Sequence, residues 1–130
     1  NHMGNKLIVI EDDVATVHLL RRYIQRAGWQ PEFEHFEYGT DATAYLLDNL
    51  NADIVILLDL NLPDMSGIDI LKVIRQQAIY ATIPVIVLTT SNLEHERQAC
   101  FALGVEHFLE KPFNLESVVD LIQTYDVVFA

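Results

Sequence analysis

Carboxylates, hydroxyls and one ammonium recur in this sequence where apolar runs end. Glu11-Asp12-Asp13 follows Leu7–Ile10, Asp59 follows Asp53–Leu58, Thr89-Thr90 follows Pro84–Leu88, and Lys111-Pro112 follows His107–Glu110. If the first and third runs are neighbouring strands, Glu11, Asp12 and Asp59 converge. Two carboxylates about 4 Å apart repel by about 4 kcal/mol at an effective dielectric near 20, so three do not share a pocket ionised without compensation. A divalent cation is the simplest remedy. A set of hard oxygen ligands with no Cys or His beside it favours Mg²⁺, or Mn²⁺, over zinc. Mg²⁺ retains waters and bridges protein carboxylates to phosphate, which points to a phosphoryl site rather than a closed structural cage. Lys111 and the Thr89 hydroxyl add a positive point charge and a donor on the opposite side. Between them lies space for a phosphoryl group on Asp59, and phosphoryl transfer needs mainly positioning and charge neutralisation.

Each of these residues has a plainer reading. Asp13 is as well suited to capping a helix as to the cluster, since acidic side chains favour helix N-termini. Asp59 could belong to a turn ahead of Asn61 and Pro63, but an acid closing the run Ile54–Leu58 is costly without a partner. Thr89 alone is an ordinary β-branched strand end, and Lys111 alone a solvated charge. Their company decides for chemistry.

The elements that must position them are legible in the apolar pattern. Leu7–Ile10, Asp53–Leu58 and Pro84–Leu88 are continuous apolar runs, as in strands buried on both faces, and are predicted to be central. Glu32–Phe36 and His107–Glu110 mix polar with apolar residues and suit sheet edges. Helical stripes fill the gaps: Val17, Leu20, Ile24 and Ala27; Ile68, Leu71, Ile74 and Ala78; Leu115, Val118, Ile122 and Tyr125. Ala42–Leu50 is a further helix. Ser91-Asn92-Leu93-Glu94 has capping-box form, so a fourth helix is predicted to start near Asn92, with a polar, weakly anchored first half. Gly67 is read as the opening of helix three and Gly104 as a helix C-cap. Trp29 is read as a cap over the core, Cys100 as a small packing residue, and His18, His35, His95 and His107 as surface or edge residues. Alternation of strands and helices gives an α/β fold, (βα)5, with a doubly wound parallel sheet of order 2-1-3-4-5. Sites in such sheets form beyond the carboxyl ends of the strands.

Length and composition agree. A chain of 130 residues, 51% apolar, suits one domain. Asn1-His2-Met3 reads as an expression scar, which sets residues 1–5 aside, leaves 6–125 as the domain and makes 126–130 a tail. No apolar run approaches the roughly 20 residues of a membrane helix. One cysteine makes no internal disulfide and no Cys/His set has zinc spacing, which suits a reducing cytoplasm. A net charge of −11 repels a phosphate backbone and argues against direct nucleic-acid binding.

From about Lys6 to Tyr125 the chain resembles the receiver domains of response regulators, through LIVIEDD, ILLDLNLPDMSG, VIVLTTS and FLEKPF in that order. The resemblance implies the flavodoxin-like receiver fold and a phosphorylation-switched module of two-component signalling. It makes Asp59 the phosphoacceptor and a metal ligand, Asp12 a direct Mg²⁺ ligand, Glu11 a ligand through water, and Asn61 a ligand through its main-chain carbonyl. Thr89 becomes the switch hydroxyl, and Lys111 the lysine ahead of a cis peptide bond to Pro112. Thr90 stands where many receivers carry Ala or Gly, and Phe108 where Tyr is commoner at the switch position. The implied partners are a sensor histidine kinase and, through the face of helix four, strand five and helix five, a second copy of the chain. The DLNLP and LTTS wording resembles small stand-alone regulators paired with phytochrome-type kinases, and a stand-alone protein is the expectation here. Two rival functions fit the sequence less well. A pseudo-receiver docking module would not need the intact set of five polar residues, and a phosphatase of the haloacid-dehalogenase type would carry an acid where Asn61 stands.

Overall fold

A parallel sheet covered on both faces gives every side chain of its central strands a dry environment, which is why the continuous apolar runs become strands. The computed structural model describes residues 6–90, 93–114, 116–118, 120–121 and 124. Its elements run β1 (Lys6–Ile10), α1 (Val14–Ala27), β2 (Glu32–Phe36), α2 (Gly39–Asp48), β3 (Ile54–Asp59), α3 (Gly67–Gln76), a 3₁₀ turn (Ala78–Tyr80), β4 (Val85–Thr89), α4 (Glu94–Ala102) and β5 (His107–Glu110). All four strand pairings are parallel and the order is β2-β1-β3-β4-β5. This is the predicted flavodoxin-like topology, with β2 and β5 at the edges.

Successive residues of each strand serve opposite faces. Ile8, Ile10, Ile56, Leu58, Val85 and Val87 pack with Leu46, Ile70, Leu71 and Ile74 of α2 and α3. Leu7, Val9, Val55, Leu57, Ile86 and Leu88 pack with Val17, Leu20, Ile24, Trp29 and Val118 on the other side. Full burial of one such side chain contributes about 1.5–3 kcal/mol, so a one-residue slip of any central strand would misplace a whole row.

Helix ends follow local chemistry in most places. Asp13 caps α1, accepting from the Ala15 amide at 3.0 Å and the Thr16 hydroxyl at 2.9 Å. Gly28 closes α1 in the left-handed conformation, φ 84°. Ser66 caps α3 through the Ile68 amide at 3.1 Å. α4 is weakly anchored, with Cys100 its one buried residue.

Several boundaries differ from the sequence-based expectation, β1 among them, which begins at Lys6 rather than Leu7. β3 and β4 begin one residue later than predicted and take in Asp59 and Thr89, so both polar residues are paired into the sheet. α2 begins at Gly39, not Ala42, and ends at Asp48. Ala78 does not complete the α3 stripe: Gln77 turns extended, Ala78 is exposed in the 3₁₀ turn, and Tyr80 is buried in its place, donating to the Leu46 carbonyl at 2.6 Å. The described part of α4 opens at Glu94, and the proposed Ser91-Asn92 cap lies outside the described residues. Of the fifth helical stripe Val118 is buried and residues 116–118, 120–121 and 124 are helical. Leu115, Ile122, Tyr125 and the 126–130 tail lie outside the described residues.

Candidate functional site

Parallel pairing puts the carboxyl ends of β1, β3, β4 and β5 on one lip. Ile10 is level with Leu58, Asp59 with Leu88, and Thr89 with Glu110, so the residues at or just past these ends are neighbours. Glu11, Asp12 and Asp59 each offer a carboxylate oxygen, and the three oxygens lie within 4.8 Å of one another. Glu11 and Thr89 are fully buried and Asp59 nearly so, whereas Asp12 is exposed. Lys111 reaches in from the end of β5. Its ammonium forms an ion pair with Glu11 Oε1 and lies 3.2 Å from Asp59 Oδ2. The Lys111–Pro112 peptide bond is cis.

The remaining polar atoms are fixed by short local bonds. The Asn61 amide donates to Asp59 Oδ1 at 2.9 Å, and the Asn61 carboxamide lies 3.4 Å from Thr89 Oγ1. The Asp13 amide donates to Glu11 Oε2 at 3.2 Å. Glu11 Oε1 is buried and faces the Lys111 ammonium. Behind Asp59, Gly67 is held so close that a Cβ would sit 2.6 Å from Leu60 Cα and 2.7 Å from the Asp59 carbonyl oxygen.

Electrostatics follow from burial and crowding. Burial, then the hydrogen bond and charge of Asp59, push the Glu11 carboxyl up to about 7 against the pull of Lys111 and the Asp13 amide. Burial draws the Lys111 ammonium down, but the bonds and charges of Glu11 and Asp59 outweigh it and its pKa is raised. Three carboxylates facing one ammonium leave the cluster short of positive charge. An all-oxygen donor set of three clustered carboxylates suits a hard divalent cation.

All six sequence-predicted site residues, Glu11, Asp12, Asp59, Asn61, Thr89 and Lys111, therefore meet on one lip, while Asp13 serves as a helix cap. Phe108 stands one strand away, half-buried, its ring 6.4 Å from that of Phe101. The Arg97 guanidinium lies over both rings, at 5.3 and 5.2 Å. Two contributors escaped the sequence reading. His35 Nε2 lies 2.6 Å from the Glu11 carbonyl oxygen, and Asp64 binds the start of α2 from the loop after Asp59. Neither has a local signal, because each partner is more than twenty residues away.

Comparison with known proteins gives the same picture. Residues 7–123 match the response regulator receiver domain family. The chain is 31% identical to chemotaxis protein CheY1 of Helicobacter pylori over 83% of this chain and 86% of that one. It superposes with a TM-score of 0.80 on the phosphorylated cyanobacterial phytochrome response regulator RcpA, at 27% identity over 97% and 94% of the two chains. With the Mn²⁺-bound form of response regulator Rcp1 the TM-score is 0.78, at 30% identity over 95% and 92%. On its fold, the geometry of its lip and these relatives, the chain belongs to the response-regulator receiver-domain family, the phosphorylation-switched modules of two-component signalling.

Proposed function

We propose that Asp59 accepts the phosphoryl group, with Lys111 and Thr89 completing the reacting centre. The observation that carries this reading is the Lys111 ammonium 3.2 Å from Asp59 Oδ2 within a cluster of three carboxylates. A carboxylate oxygen of Asp59 forms the new bond to phosphorus, and the bond to the donor breaks with its electron pair leaving on the donor atom. Receiver domains of response regulators receive this group from histidine kinases, and a sensor kinase is the donor proposed here. Lys111 neutralises charge on the transferred oxygens, and the Thr89 hydroxyl donates to one of them. The domain itself promotes both transfer and later hydrolysis by positioning these groups.

Glu11, Asp12, Asp59 and the main-chain carbonyl of Asn61 would hold Mg²⁺, or Mn²⁺, and the Mn²⁺-bound relative supports that choice. Bound there, the ion supplies the positive charge that the cluster lacks. The setting proposed is the cytoplasm, which suits a chain whose one cysteine, Cys100, is free and buried.

Acetyl phosphate with Mg²⁺ tests the assignment by intact mass. The wild type should gain one phosphoryl group and Asp59→Asn none. Labelling retained by Asp59→Asn would overturn the role of Asp59, and an unlabelled wild type would favour an unphosphorylated docking module.

A homodimer face is proposed on α4, β5 and the fifth helix. Phe101 is 43% exposed there beside the half-buried Phe108, and apolar surface of this kind is commonly covered by a partner. The tail Val127–Phe129, expected to contribute, lies outside the described residues. Sedimentation of beryllofluoride-treated protein should show dimer at roughly tens of micromolar; monomer alone would refute it.

A further inference from the structure

The loop from Leu60 to Ser66 carries Asn61 and is closed at its base. The Gly67 amide donates to the Leu60 carbonyl at 3.0 Å, Asn61 bridges to Ser66, and the Asn61 amide binds Asp59. Its tip reaches away from the strand to α2. There Asp64 Oδ1 accepts from the Gly39 amide at 2.8 Å and Oδ2 from the Thr40 amide at 2.9 Å. α2 needs this help, because its own N-cap residue, Tyr38, makes no side-chain cap bond. Met65 packs where a Cβ on Gly39 would stand, 2.5 Å from its Cγ, so the tip is seated by packing as well as by charge. A loop tied at base and tip cannot rock about Gly67, and its base is where Asp59 and Asn61 meet.

We propose that Asp64 is a positioning residue for the metal centre: by holding the N-terminus of α2 it fixes the loop that presents Asn61 beside Asp59. The proposal rests on the reading of Asp59 and Asn61 as ligands. Groups that orient metal ligands from behind change affinity by about 10–100-fold when removed. Asp64 acts through a whole loop, so the lower end, roughly tenfold, is expected.

A cap and a tether can be separated by experiment. Asp64→Ala removes both functions, whereas adding Tyr38→Ser restores a side-chain cap to α2 from its own N-cap position without retying the loop. Three quantities are measured: the urea midpoint, hydrogen exchange of the Asn61 and Gly67 amides in metal-free protein, and the Mg²⁺ dissociation constant by calorimetry. Asp64→Ala should lower the midpoint, speed both amides several-fold and weaken Mg²⁺ roughly tenfold. The double variant should recover the midpoint and neither of the others. Asp64→Asn, which keeps one acceptor oxygen, should fall between, and it serves if Asp64→Ala folds poorly. Recovery of all three by Tyr38→Ser would overturn the proposal in favour of capping alone, as would unchanged Mg²⁺ affinity in Asp64→Ala. A wild type that binds no Mg²⁺ would refute the metal reading itself and the proposal with it, while the exchange data would still report whether the loop is tied.

Discussion

Replacing Lys111 by Met keeps most of the side chain's apolar length and deletes its charge, which isolates what that charge does. In the metal-free protein it leaves two buried carboxylates without a cation. At an effective dielectric near 20, an ammonium 3.2 Å from Asp59 Oδ2 contributes about 5 kcal/mol of attraction, and Glu11, fully buried, adds a term of similar size. Their sum is an upper bound, because Glu11 takes up a proton once its counter-charge is gone and Lys111 is partly solvated. Removing one partner of a buried pair costs about 3–5 kcal/mol, and that is the loss expected at pH 8. The loss should shrink at pH 6, where Glu11, pushed up to about 7, already holds its proton. Mg²⁺ should bind Lys111→Met more tightly than the wild type, since no ammonium opposes it, and should recover part of the lost stability. Urea titrations at both pH values, with and without Mg²⁺, measure each quantity. A metal-free Lys111→Met protein within about 1 kcal/mol of the wild type at pH 8 would refute the account of the site as charge-crowded.

The raised Glu11 carboxyl sets a pH window. Its folded value of about 7 exceeds its ordinary 4.5, so its contribution to metal-free stability is full below about 4.5 and is lost as pH rises through 7. Mg²⁺ must displace that proton, and its affinity should fall as pH drops below 7, approaching tenfold per unit by calorimetry. On the reading of Thr89 as the switch hydroxyl, Thr89→Val should still accept a phosphoryl group on Asp59 yet leave Phe108 unmoved; an unaltered phosphorylation-induced NMR shift at Phe108 would contradict this. Gly67→Ala forces a Cβ against Leu60 Cα and the Asp59 carbonyl, and should lower stability by about 1–3 kcal/mol in a thermal melt while slowing labelling by acetyl phosphate.

Sheet and site were legible for one physical reason. Strands buried on both faces have continuous apolar sequences, and a parallel sheet delivers whatever follows them to a common lip. Edges were legible because Glu32–Phe36 and His107–Glu110 mix polar residues into the run. What escaped depends on partners remote in the chain. α2 starts three residues early because Asp64, twenty-five residues on, supplies its cap, and rules of local capping see only Tyr38. Ala78 fitted a helical stripe, yet Arg75 gathers the Tyr80 and Ile83 carbonyls at 2.9 Å and the Leu103 carbonyl at 2.8 Å, and these bonds accompany the turn that follows α3. Nothing in the spacing of Arg75 names those acceptors.

The order of the strands also bears on how the chain is synthesised. β1 emerges first but lies between β2 and β3, so its second edge stays unpaired until Asp59 has been made. Glu11 and Asp59 are therefore brought together by the β1–β3 pairing while Lys111, beyond β5, is still to come. A sheet of four strands carries its acids without their ammonium, and Glu11 then holds its proton until Lys111 arrives. Arrival of the last edge strand completes the sheet and delivers the ammonium of Lys111 to its lip in one event.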